Sequence, residues 1–443
     1  MVRCLSFELR TTHAAQRTKL MYKKTTLPNG IRIVSYPVKD RDSVSIGFFV
    51  GVGARHESDS VMGAAHFLEH IVFKGSKQYS CDEIKNRVEG VGGMLNAFTG
   101  DCETCYYAKI PAQYLQQTFE TFADMVYQPK ILPSDMTKEK TVIVEEIKMY
   151  RDLPQYQVSE LLDEIMWPNH PMGRSLAGTP ESVTAMTSKN LRGFHGEHYN
   201  GHNTVIAVCG KCSHEEIVRL ANQHLKHLKS QTRSSCLEAF VTQNQPRFKL
   251  VKKTIEQTHL TIGFPAYHQD HPQRYAMSLL NILLGGNMSS RLFVEIREKR
   301  GLAYSIGSSV KYMHDVGTFT IRAGVENAKT LQTIELIIKE LKKIRKSGVT
   351  SDEFKRAKDY VLGQLVLGVE DTMEHMLWLG ESEISRGRLQ TIQDVLRHFE
   401  KVTPVDVLSA ANDILTVEHF SLAAIGPMED QLQKQIRSVS QTW

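Results

Sequence analysis

The segment Gly63-Ala64-Ala65-His66-Phe67-Leu68-Glu69-His70-Ile71-Val72-Phe73 decides how this chain is read. It sets two imidazoles four positions apart with a carboxylate between them. On a helix, His66 and His70 share one face, one turn apart, close enough to hold a single metal ion. Glu69 is three residues from His66 and one from His70, so it lies near the same ion without being a ligand. Gly63, Ala64 and Ala65 permit close helix packing, and Gly75 is a suitable helix stop. Phe67, Leu68, Ile71, Val72 and Phe73 supply an apolar surround. That surround argues against the plainer alternative, an amphipathic helix with two histidines on its solvated face.

The order His-x-x-Glu-His reverses His-Glu-x-x-His and is the inverzincin pattern of a zinc peptidase. Such a site needs a third protein ligand and an open position for water. The segment from Ser134 to Ile147 offers it. Ser134 suits an N-cap for a helix starting there. Glu139 and Glu146 are two turns apart and share a face, with Val142 and Ile143 on or near it. Glu145 points about 100° away from Glu146. The alternative for this segment is a solvated helix of mixed Lys and Glu.

Taken with other segments, these residues resemble the pitrilysin and mitochondrial processing peptidase family, in the branch with subunits of about this length. That family carries a ligand glutamate some 75 residues after the second histidine; here 146 − 70 = 76. An accessory glutamate lies seven positions earlier, at Glu139. The resemblance therefore implies His66, His70 and Glu146 as ligands of one zinc per chain and Glu69 as general base. Leu27-Pro28-Asn29-Gly30-Ile31-Arg32 resembles the family's opening strand and turn. Asn96-Ala97-Phe98-Thr99 resembles its edge strand that pairs with an extended substrate. Gly285 to Leu292 resembles a glycine-containing segment of the second domain. Arg297 and Tyr304 match an arginine and a tyrosine seven apart that reach substrate or the developing oxyanion. The plain alternatives are an ion pair of Arg297 with Glu295 or Glu298, and a half-buried strand position for Tyr304. The match spans roughly residues 22 to 430.

With 443 residues the chain exceeds one ordinary core. Hydrophobic and charged contents of 41% and 23% are those of a globular protein. A net charge of +5 without a dense basic stripe gives no support for nucleic-acid binding. No run of 18 apolar residues predicts a membrane span. Seven scattered cysteines do not read as a secreted disulfide framework. Cys102/Cys105 and Cys209/Cys212 are Cys-x-x-Cys pairs, but about a hundred residues separate them, which disfavours one four-cysteine zinc site. Residues 102 to 108 alternate like a strand, so Cys102 and Cys105 would face opposite ways. Buried thiols are the preferred reading.

The pattern of elements repeats. Two β-rich stretches, a helix, a hairpin and further helices in the first half recur in order in the second, which predicts an α+β fold: two similar α/β sandwich domains, mainly antiparallel sheet with helices packed on it. The expected division is an N-terminal extension over 1–21, read as disordered, a metal-binding domain over 22–228, a polar linker over 229–245, and a second domain over 246–443. The second copy offers Ala276-Met277-Ser278-Leu279-Leu280 in place of the motif and so holds no metal.

The expected function is zinc-dependent endopeptidase action on extended or unfolded polypeptides, with water activated by Glu69. Two alternatives stand beside it: a non-catalytic structural or partner subunit of the same fold, and a mitochondrial presequence-processing subunit. Intact ligand and base positions favour the enzyme. A homodimer is expected, with a heterodimer containing an inactive relative as runner-up. The absence of a secretory h-region predicts residence in a bacterial cytoplasm, the mitochondrial matrix being the alternative.

Overall fold

The computed structural model describes residues 22–441, so the expectation for the N-terminal extension over 1–21 lies outside the described residues. The first half builds six strands: β1 Lys23–Thr26, β2 Arg32–Pro37, β3 Ser43–Val50, β4 Met94–Thr99, β5 Thr104–Pro111 and β6 Thr204–Gly210. They form one sheet in the order β1-β2-β6-β3-β5-β4. The second half builds β7 Arg247–Lys252, β8 Gln257–Ala266, β9 Ala303–Tyr312, β10 Gly317–Glu326 and β11 Ser421–Gly426, in the order β7-β11-β8-β10-β9. The duplication is thus topological. β2 runs parallel to β6 as β7 does to β11. The neighbours β3 and β5, like β8 and β10, are antiparallel. A hairpin strand, β4 or β9, closes one edge of each sheet.

Central strands are covered on both faces, and their sequences show it. All seven residues of β6, Thr-Val-Ile-Ala-Val-Cys-Gly, are buried, and β3 is buried from Val44 onward. Such continuous apolar runs are what a doubly covered strand requires. At the edge, β4 keeps every residue at least partly exposed.

The compact units are interleaved along the chain, which corrects the contiguous division at 229–245. The first comprises residues up to Glu145, then Leu176–Cys236 and Leu365–Val395; the second comprises Glu146–Ser175, Leu237–Gln364 and Leu396 onward. Within the second unit, the helix Pro154–Met166 covers β8 and β11. Within the first, the helix Thr372–Arg386 covers β3 and β6. Glycines make both fits possible. A Cβ on Gly380 would stand 2.0 Å from the Phe49 ring, and one on Gly263 would stand 2.5 Å from Met166 Sδ. Each half therefore lends a helix to the other's sheet. An amphipathic helix announces in sequence that it has an apolar face, but not which sheet that face covers. Residues 229–245 do lack regular elements, as their polar composition predicts.

Candidate metal centre and active site

The motif forms the helix Ala64–Val72. Gly63 precedes it at φ 88°, and a Cβ there would meet Ala177 O at 2.7 Å, so this turn admits only glycine without strain. The helix start is held by a residue that pattern reading missed. Glu57, only 6% exposed, accepts hydrogen bonds from Gly63 N at 2.7 Å and Ala65 N at 2.8 Å. A carboxylate there satisfies otherwise unmet amides and complements the positive end of the helix. No sequence signal within the motif itself points to Glu57, because its role depends on the chain folding back.

Phe67, Leu68, Ile71 and Val72 anchor the helix in the core, leaving His66, Glu69 and His70 half-buried on its other side. The two imidazole rings lie 4.8 Å apart at 65°. The second contributor is the continuous helix Pro133–Asp152. It begins one residue before Ser134, which therefore sits in the first turn rather than capping it. Glu139, Ile143 and Ile147 are buried along one side, with Glu146 half-buried beside them; Val142 and Glu145 face outward. The expected inward placement of Val142 is thus corrected: at 49% exposed it falls just outside the buried stripe.

One ligand atom from each of His66, His70 and Glu146 lies within 4.8 Å of the others. Two imidazole nitrogens and a carboxylate oxygen so gathered match the donor chemistry and three-ligand count of a catalytic zinc site. Glu139 completes the arrangement from behind. Its Oε2 is 3.2 Å from His70 Nδ1 and its Oε1 is 2.6 Å from Lys74 Nζ. A carboxylate paired with a lysine accepts, so His70 Nδ1 carries the proton and leaves the Nε2 lone pair for a metal.

Glu69 is held from the opposite side. Thr99, the last residue of β4, donates from Oγ1 to Glu69 Oε2 at 2.6 Å. The buried Tyr106 and Tyr199 pair through their hydroxyls, 2.9 Å apart. Burial pushes the Tyr106 hydroxyl well above its usual range, and the Glu69 charge adds to the shift. We expect Thr99→Val to lower turnover about tenfold while peptide affinity holds, and Thr99→Ser to restore it, because the hydroxyl donates to the carboxylate and helps to fix it. Steady-state kinetics of both variants beside peptide titrations is the check; loss of affinity instead would place Thr99 in substrate binding.

β4 is an edge strand, paired with β5 alone. Asn96, Ala97, Phe98 and Thr99 all lie on it. Asn96 Oδ1 accepts from Ala97 N at 2.8 Å, so a side chain of the strand occupies this amide. Phe98 turns to the other face, against Tyr107.

Arg297 and Tyr304 belong to the second unit and form a pair of their own. The Arg297 guanidinium lies over the rings of Phe293 at 4.8 Å and Tyr304 at 5.8 Å. Glu295 engages Lys299 and Arg300. Tyr304, at 77% exposed, is not a half-buried strand residue. With Glu256, Gln257 and Glu326 the two line an open pocket of about 560 Å³. In the second half, the helix Arg274–Leu284 presents Ala276, Met277, Leu279 and Leu280 as buried apolar residues, which offer no ligand.

The Cys-x-x-Cys pairs do not build a joint site. Cys105 and Cys209 are buried in β5 and β6, within an apolar cluster. Cys102 precedes β5 and lies in the turn, not the strand expected over 102–108.

Among the described residues, the His66, His70 and Glu146 cluster offers the donor set that a metallopeptidase uses, and comparison with known proteins gives the family. Residues 32–180 match the family model described as insulinase (peptidase family M16), and residues 185–361 match that of the peptidase M16 inactive domain. A Streptomyces coelicolor protein named an uncharacterized zinc protease is 35% identical over 92% of this chain and 90% of its own length. One so named from Bacillus subtilis is 34% identical, over 92% and 98%. The chain belongs to peptidase family M16. Its fold matches the crystal structure of a protease from Helicobacter pylori, with a TM-score of 0.86, 24% identity and coverage of 92% and 99%. It also matches a peptidase M16 inactive domain from Pseudomonas fluorescens, with a TM-score of 0.85, 20% identity and coverage of 92% and 98%. Among the described residues no helix is long and apolar enough to cross a membrane.

Proposed function

We propose that this protein is a zinc-dependent endopeptidase acting on extended polypeptide. The observation that carries the reading is the convergence of His66, His70 and Glu146 within 4.8 Å, with Glu69 beside them held by Thr99. Bound there, one zinc would supply Lewis acidity, polarising a carbonyl and lowering the pKa of water. Glu69 takes the proton of the attacking water and delivers it to the leaving amine. Thr99 orients the carboxylate for that transfer by donating to its Oε2. Glu139 keeps His70 in its ligating tautomer. The open edge of β4 receives the substrate main chain as an added strand, with Ala97 N bonding a substrate carbonyl in place of Asn96 Oδ1. Main-chain recognition of this kind tolerates varied sequences. Arg297 and Tyr304 contribute to substrate binding in this or a partnering chain, and a homodimer is the proposed assembly.

The intact ligand and base positions support catalysis over a purely structural subunit. The test is purified protein with its metal content measured and an unstructured peptide as substrate. Expected are one zinc per chain, cleavage, loss of cleavage on chelation and recovery on adding zinc. A chain that binds zinc yet cleaves no unstructured peptide would instead be a structural or partner subunit.

A further inference from the structure

We infer that Cys102 and Cys236 are a thiol modification site, a pair that closes to a disulfide with a small-molecule disulfide as oxidant. The sequence hides it: they lie 134 positions apart (236 − 102), and each cysteine of the Cys-x-x-Cys motif invites pairing with its neighbour. The fold pairs them otherwise. Their Sγ atoms lie within 4.8 Å, and the two thiols are hydrogen-bonded. Both are half-buried rather than sealed in the core.

Both backbones are fixed where the thiols meet. Cys102 sits in the turn joining β4 to β5, closed by Gly100 N donating to Glu103 O at 2.8 Å. That turn is tied to the segment before the motif helix by Arg55 N donating to Asp101 O at 2.9 Å. Cys236 is two residues after Ser234. Ser234 N donates to Asn203 Oδ1 at 3.2 Å, and its hydroxyl bonds Asn203 Nδ2 and His198 Nδ1, each at 2.8 Å. The thiols are therefore held together by two anchored segments. Arg55, 1% exposed, brings Nη1 to 3.7 Å from Cys102 Sγ. A buried cation at a thiol favours the thiolate that exchange requires. The hydrogen bond to Cys236 and burial act the other way and hold the Cys102 thiol above its usual range, so exchange is slow and the reaction is followed to equilibrium.

In the exchange, one cysteine thiolate attacks a sulfur of the reagent disulfide and expels the first small thiol, leaving a mixed disulfide. The second cysteine, as thiolate, attacks the protein-bound sulfur and expels the other. Two protein thiols lose two electrons and two protons, and one reagent disulfide becomes two thiols. The new bond fastens the 229–245 segment to the turn that begins one residue after Thr99.

The experiment treats the full chain with excess oxidised glutathione, alkylates the remaining thiols and maps the peptides. Expected is a Cys102–Cys236 cross-link, with the intact mass lower by about 2 Da and restored by dithiothreitol. Cys102→Ser and Cys236→Ser should each stop at a mixed disulfide, whereas Cys212→Ser should link as the parent does. Closure of so long a loop should raise the unfolding midpoint by at least about 3 °C. Recovery of both cysteines as alkylated thiols after equilibration, or cross-links confined to Cys81, Cys105, Cys209 or Cys212, overturns the inference. So does a lowered midpoint in the linked protein, since it would show a bond made only by distorting the fold. The parent chain alone decides the matter, whatever the folding of the variants, and nothing in it depends on peptidase activity.

Discussion

Replacing Glu69 by Gln is expected to leave zinc content and the fold unchanged while turnover of an unstructured peptide falls by about two to four orders of magnitude. The carboxamide nearly keeps the shape of the carboxylate and still accepts the Thr99 hydroxyl through its oxygen. It cannot take a proton from water. Substrate affinity should survive, because the edge of β4, not Glu69, reads the peptide in the proposed mechanism. Metal analysis, peptide titration and single-turnover rates on the same preparation separate the terms. Near-parental turnover in Glu69→Gln would remove this residue as base even if the zinc site stands.

The second large effect is expected at the third ligand. Glu146→Gln should weaken zinc binding by more than about 100-fold, beyond the usual loss from a supporting group. A neutral amide oxygen neither offsets the ion's charge nor competes with a carboxylate as a donor. Its neighbour provides the control. Glu145 is exposed on the outer side of the same helix, so Glu145→Gln should change zinc affinity by no more than about twofold. Competition with a chromophoric chelator reports both constants. If Glu145→Gln gave the larger loss, the helix would have to be rotated from its present facing, and the ligand set would need redrawing.

These two substitutions differ in kind, and so do the properties they probe. The placement of Glu69 beside His66 and His70 follows from helix geometry alone, since residues three and four apart share a face. The spacing of Glu139 and Glu146 by two turns is legible for the same reason, and their burial on one side of Pro133–Asp152 follows from it. Neither periodicity reveals that the two helices meet. The contact between Glu139 Oε2 and His70 Nδ1 joins residues 69 apart and exists only because the sheet and its helices bring distant segments together.

Tertiary structure decided the supporting groups. Glu57, Lys74 and Thr99 are ordinary residues in sequence; each becomes meaningful through a partner reached by chain reversal. The same holds for Cys102, whose neighbour in the motif is Cys105 but whose neighbour in space is Cys236. The exchanged helices Pro154–Met166 and Thr372–Arg386 are the clearest case. By itself the sequence determined the elements, the repeated strand order, the motif and the loss of ligands in the second copy, because local periodicity and residue chemistry carry those. Which sheet each helix covers, and which carboxylate or thiol meets which partner, was settled only when the apolar faces were buried together, since amphipathicity specifies that a face must be covered and not what covers it.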